Sequence, residues 1–171
     1  LATTALVASA SSCARFSLAP SAQVPLIGYT EYRTNLPTRY DNMITARAYM
    51  VRADGTGREQ LAPELVNEPY AWTQFAGWSP DGKLAIIGRG WETPENGAWE
   101  EAHKTFRMTE GWLYDTLTYD IASKELVNLT AVERVSNYNT GISFVPGSDK
   151  LTFTALINGV SHPYSMDRDG K

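Results

Sequence analysis

Residues Gly77–Gly90, "GWSPDGKLAIIGRG", place a rigid turn between a tryptophan and a run of small apolar residues. Pro80 presets φ at one turn position, and Gly82 tolerates the left-handed conformation that a tight reversal needs. The flanking stretches "AWTQFAGWS" and "KLAIIGR" are short, aromatic and β-branched, so the segment reads as two strands joined by a turn. Its chemistry is that of folding rather than catalysis.

The same reading extends outward from this hairpin. From Val24 onward, short apolar runs alternate with Gly, Pro, Asn and Asp, without a sustained helical period. Ten strands are expected: "VPLIGYTEY", "RAYMVRA", "GREQLA", the two above, "WLYDTLTYD", "KELVNLT", "YNTGISFVP", "KLTFTAL" and "SHPYSMD". Asp54-Gly55 suits a tight turn between the second and third. Turn residues also stand at Ser123-Lys124, Pro146-Gly147-Ser148-Asp149 and Asn158-Gly159. Nine Tyr and five Trp agree with strands, because flat side chains fill a half-buried pleated surface well.

These strands repeat. "FAGWSPDGKLAII" aligns with "GISFVPGSDKLTF", setting Trp78 over Phe144, Pro80 over Pro146 and, after a one-residue gap, Leu84 over Leu151. "AYMVRADGTGREQLA", "TLTYDIASKELVNLT" and "PYSMDRDGK" align with Arg52, Asp120 and Asp167 in register. Asp120 and Asp167 are 47 residues apart, while Arg52 and Asp120 are 68 apart. The excess is about the length of a polar, Glu-rich insertion at 90–111, for which a helical turn or two around Ala98 to Phe106 is expected. A period of roughly 40 to 50 residues with four strands per unit predicts β-propeller blades.

"GWSPDGKLAII", "AYMVRADGTGREQLA" and "FTALINGVSHPYSMDRDG" resemble the blade repeat of TolB-like (WD40-like, PD40) propellers, over roughly Leu26 to Lys171. The Val145–Asp149 turn is a lengthened version of the motif, and Asp120-Ile-Ala-Ser replaces the second one. The resemblance implies a six-bladed, all-β propeller that binds a protein or peptide. Since 171 residues supply about three blades, a partial propeller is expected, with blades at approximately 24–66, 70–132 and 136–171. Exposed blade edges and faces would favour self-association.

Composition sets the outer limits. The formal net charge is −4 and no Lys/Arg cluster appears, which argues against nucleic acid as a partner. Residues 1–23 lack acidic residues and are rich in Ala and Ser, like the later part of a secretory signal or a flexible, transit-like leader. Export to the periplasm or outside the cell is the corresponding expectation. No stretch reaches the roughly 20 apolar residues of a membrane-spanning helix.

One cysteine, Cys13, and two histidines, His103 and His162, make no metal-site spacing, so neither metal nor cofactor is expected. No G-x-S-x-G elbow or assignable triad is present, and no catalytic residue is proposed. The turn carboxylates, Asp81 among them, are read as acceptors for nearby backbone N–H groups. Asn128-Leu129-Thr130 matches the glycosylation pattern but also simply ends a strand.

Candidate ligand contacts are therefore recognition residues. The insertion supplies Trp91, Glu92, Trp99, Glu100 and His103, because a loop that interrupts a repeat on a rigid scaffold often carries binding. Its tryptophans either contact a ligand or pack the insertion onto its blade, and its glutamates either act with them or face water. Inner strands place Trp72, Thr73, Gln74, Asn137, Asn139 and Thr140 near a tunnel mouth, where polar side chains either orient a ligand or hydrogen-bond to neighbouring blades, with Gln74 and Asn139 the favoured ligand contacts. The alternative function is a carbohydrate-active or peptidase-associated propeller whose Trp/Glu-rich insertion touches substrate.

Overall fold

The computed structural model describes residues 24–105, 107, 111–130, 140–157 and 160–171. All ten expected strands are found among them. The first sheet joins β1 (Leu26–Glu31), β2 (Arg47–Arg52) and β3 (Glu59–Gln60) in that order. The second joins β4 (Ala71–Trp78), β5 (Leu84–Glu92), β6 (Trp112–Asp120) and β7 (Leu126–Asn128). The third joins β8 (Thr140–Phe144), β9 (Lys150–Ile157) and β10 (Val160–Asp167). Every pairing is antiparallel and between chain neighbours, so each sheet is a meander.

Register makes the three sheets equivalent. Leu26 faces Arg52, Leu84 faces Asp120 and Lys150 faces Asp167, at the same end of each middle hairpin. Arg52 and Asp167 N–H groups each donate four residues ahead, to Thr56 and Lys171 carbonyls, and Asp120 donates to Glu125 across a turn one residue longer. The three aligned positions therefore open the same kind of turn. A strand equivalent to β4 and β8 is not present among the described residues of the first sheet, nor one equivalent to β3 and β7 in the third.

One detail of the alignment changes. Trp78 pairs with Ala85 and Phe144 pairs with Leu151, and the Ser79 and Val145 N–H groups both donate five residues ahead. The two hairpins are thus the same length, with no gap: Leu151 occupies the place of Ala85 rather than Leu84. What differs is the positive-φ glycine, Gly82 in one turn and Gly147 one place earlier in the other. Similarity of residue type had disguised a shift of conformation within a turn of constant length.

Stacking explains the apolar run in "KLAIIGR". Ala85, Ile86 and Ile87 are all fully buried, yet successive residues of a strand point to opposite faces. Ala85 and Ile87 share a core with Ala48, Met50 and Leu61 of the first unit. Ile86 packs instead with Ile142, Leu151 and Met166 of the third. The middle sheet is therefore covered on both faces, as an interior propeller blade is, and the fold is all-β and built of such stacked blades, an incomplete propeller of about three. Close approach fixes some small residues: a Cβ at Gly90 would lie 2.0 Å from the Trp72 ring, and one at Gly88 would lie 1.9 Å from the Tyr114 hydroxyl.

Two helices interrupt the meander at one end. α1 (Arg39–Met43) lies between β1 and β2, and α2 (Pro94–His103) between β5 and β6. Both start on a threonine cap, with Thr38 Oγ1 accepting from Asp41 N–H and Thr93 Oγ1 from Asn96 N–H. α2 begins four residues before the expected Ala98, because Thr93 and Pro94 form a cap followed by a proline in the first turn. It ends where Lys104 adopts a left-handed conformation, φ 52°. No helix among the described residues is long and apolar enough to cross a membrane.

Candidate functional site

The two helices pack together because they leave equivalent connections of adjacent blades. Gly97 of α2 lets the Tyr40 ring of α1 lie against the helix; a Cβ there would be 2.5 Å from Tyr40 Cδ2. The Tyr40 hydroxyl donates to the Glu92 carbonyl at 3.1 Å. Burial, and then the Glu92 carboxylate, push this phenol above its ordinary pKa.

Beneath that contact lies a charged network. Glu92 and Glu100 are buried, with side chains 0% and 1% exposed. Arg39 from α1 pairs with Glu100 Oε2 and stands 3.8 Å from Glu92 Oε1. The Asn96 amide donates to both carboxylates, at 2.9 Å to Glu92 and 3.3 Å to Glu100. Arg107 closes the ring: its backbone N–H donates to Glu100 at 2.7 Å and its Nε–H to Asn96 Oδ1 at 2.8 Å. Asn96 and Glu100 lie one turn apart on one face of α2, and Glu92, the last residue of β5, meets them from the end of the strand. The expectation that the insertion's glutamates face water is corrected for these two, because an arginine from the neighbouring blade offsets their desolvation. Glu95 is exposed, and Glu101 is partly so and pairs with Lys104.

The tryptophans differ. Trp99 stacks on His103, with centroids 4.1 Å apart, and Arg107 lies over its ring at 4.6 Å. His103 Nδ1–H donates to the Trp99 carbonyl at 2.7 Å. Trp91 is half-buried between Ala71 and Leu113 in the sheet. The side chain of Trp112 is outside the described set.

A cleft opens on the other side of Arg39. It is lined by Tyr32, Arg39, Met43, Gln74 and Phe75, with Thr30, Thr34, Asn42 and Ala46 completing the wall. β4 positions Gln74 and Phe75, β1 supplies Thr30, and the β1–β2 connection brings the other lining residues over them. Most polar groups here already have partners. Thr30 Oγ1 accepts from Phe75 N–H, while the Asn42 amide binds Leu36 and Thr38 backbone groups. The Gln74 amide donates to the Met43 thioether at 3.8 Å, a weak bond. Tyr32 is 55% exposed at the mouth.

Of the expected tunnel-mouth residues, Gln74 alone is seen to line this cleft. Trp72 and Thr73 are buried instead: the Trp72 ring lies on Gly90, and Thr73 Oγ1 accepts from Ala48 N–H. Asn137 and Asn139 lie outside the described residues, as does the side chain of Thr140. Tyr32, Arg39, Met43, Asn96 and Arg107 were not legible as a group. The available signals were the two T-x-x-[D/N] helix starts, at Thr38 and Thr93, which mark both rim helices.

At the opposite end, the turn carboxylates bond their own turns, and Asp81 also stands 3.7 Å from Arg168 of the third unit. Asp81 accepts from the Ser79 hydroxyl at 2.6 Å and Lys83 N–H at 3.1 Å, and Asp120 accepts from Ala122 and Ser123 N–H. These bonds hold both carboxyls below their ordinary range, led by the Ser79 hydroxyl for Asp81 and by Ser123 N–H for Asp120. Asp167 and Asp169 pair instead with Lys150 and Lys171. No group of three or more His, Cys, Asp or Glu suited to a metal occurs among the described residues.

No family model matches the chain, and no curated protein matches it. Among solved structures, one similar to it is described as "putative TolB from Agrobacterium tumefaciens". The two share 17% identity with a TM-score of 0.49 over 84% of this chain. The match spans 39% of that structure's chain, so this sequence corresponds to well under half its length.

Proposed function

We propose that this chain is part of a non-catalytic propeller module that binds a protein or peptide, through the cleft between α1 and β4, outside the cytoplasm. The observation that carries the reading is the cleft itself, where an exposed aromatic ring, Tyr32, and a weakly bonded amide, Gln74, face one opening on a rigid sheet. The sequence resemblance to TolB-like blades points the same way, and the leader-like composition of residues 1–23 supports export. A non-catalytic role is supported by the engagement of Glu92 and Glu100: their carboxylates hold Arg39 and Asn96 and so join two blades.

The test is binding of fluorescent dodecapeptides from a random-sequence array to the purified protein, compared with Tyr32→Ala. Tyr32 is exposed, so the substitution leaves the core intact, and retained peptides should lose most of their signal. Equal retention by both proteins, or none by either, would defeat the proposal.

A further inference from the structure

The composition of the cleft says what kind of peptide segment suits it, and this step rests on the peptide-binding reading above. Arg39 is the one charged residue in the wall among the described residues, and its charge does not act alone. Among the described residues, the two arginines of the adjoining network, Arg39 and Arg107, are balanced in formal charge by two buried glutamates, Glu92 and Glu100. An anionic ligand approaching Arg39 would meet the field of both carboxylates within a few ångströms. A cationic ligand would meet the guanidinium first. The wall therefore favours a segment carrying no charge.

Gln74 supplies a further polar contact. Its amide offers a carbonyl acceptor and an NH2 donor in one plane, the same pair that a peptide group or a carboxamide side chain presents in reverse. A thioether at 3.8 Å is a poor substitute for such a partner, so exchanging it for a peptide group on binding improves the hydrogen bonding. Tyr32, Met43 and Phe75 surround this amide with apolar surface, where a ligand's aliphatic or aromatic side chain is removed from water.

We infer that the cleft takes an uncharged, extended peptide segment, with the Gln74 amide pairing to one of its amide groups and Tyr32, Met43 and Phe75 enclosing an adjacent apolar side chain. Gln74 is on this account the specificity-determining residue of the cleft. Binding is insensitive to ionic strength, because no net charge is neutralised.

The experiment uses a positional-scanning library of acetylated, amidated octapeptides against the full chain at 50 and 500 mM NaCl. Expected are retained peptides poor in Asp, Glu, Lys and Arg, with dissociation constants that agree within about twofold at both salt concentrations. Gln74→Ala should weaken them about tenfold or more. The isosteric Gln74→Glu, which keeps an acceptor but adds a charge, should weaken them further and shift the retained set toward basic peptides. Far-UV circular dichroism of each variant confirms that the sheets are intact. Retention of acidic peptides that release at 500 mM NaCl would overturn this inference and leave peptide binding standing. An unchanged affinity in Gln74→Ala would do the same. Absence of retention for every peptide class would overturn both readings.

Discussion

Replacing Arg39 by Met tests the rim network most directly. Arg39 is the cation that α1 supplies to two carboxylates of the α2 region whose side chains are 0% and 1% exposed. Removing one partner of a buried ion pair typically costs about 3–5 kcal/mol, because the remaining charge is left desolvated. Here the arginine side chain is itself 34% exposed, so water replaces part of what is lost. Glu100 also keeps Arg107 N–H and the Asn96 amide. The expected loss is therefore about 2–4 kcal/mol, a large share of the roughly 5–15 kcal/mol that stabilises an ordinary domain. Urea unfolding, followed by tryptophan fluorescence and far-UV circular dichroism, measures it. The discriminating variant is the double substitution Arg39→Met/Glu100→Gln, in which one of the two stranded charges is removed while an oxygen remains to accept from Arg107 N–H. It should be more stable than Arg39→Met alone by about 1–2 kcal/mol, since contacting residues do not contribute additively. If the double variant loses the sum of the two single effects, the network does not work by compensating buried charge.

Three further outcomes follow from particular contacts. Gly97→Ala should destabilise by about 1–3 kcal/mol through overpacking against Tyr40, although alanine favours a helix by about 1 kcal/mol; a raised melting temperature would contradict the α1–α2 packing. Asp81 and Asp120 have folded-state pKa values depressed by turn hydrogen bonds, so their stabilisation is complete above the unfolded carboxylate value of about 4 and is lost as pH falls through the depressed folded value. Carboxyl carbon NMR titration should show both midpoints below the ordinary range, and Asp81→Asn should flatten the acid limb of stability; ordinary midpoints would refute the turn geometry. Replacing Trp91 and Trp99 by Ala should leave retention on immobilised glycans at background, because Trp99 stacks on His103 and carries Arg107 within its own chain. A drop from a measurable glycan retention would favour the carbohydrate reading instead.

Repeat punctuation made the meander legible. Gly82, Gly55 and the Asp-containing turns have local conformational reasons to stand where they do, and a local reason is written in adjacent residues. The run Ala85-Ile86-Ile87 was legible as a strand, and the structure adds that both of its faces are buried, because neighbouring sheets cover each of them. The rim was less legible. Glu92 and Glu100 look like surface residues by composition, and the arrival of Arg39, 61 positions from Glu100, adds the charge that offsets their burial beside the bonds from Asn96 and Arg107. Position along an inner strand left Trp72 and Thr73 as either channel or packing residues; Gly90 leaves room for the first ring, and the second bonds the Ala48 N–H of the neighbouring sheet.

Sequence alone determined the strands, the order of their turns and the repeating unit, because these follow from backbone conformational preference and period-two patterning within a few dozen residues. Tertiary structure decided which charges are buried, which aromatic rings are covered and where a cleft opens. Those properties depend on distances between α1, α2 and β4, elements separated along the chain, and Coulombic pairing and desolvation act through space rather than along the sequence.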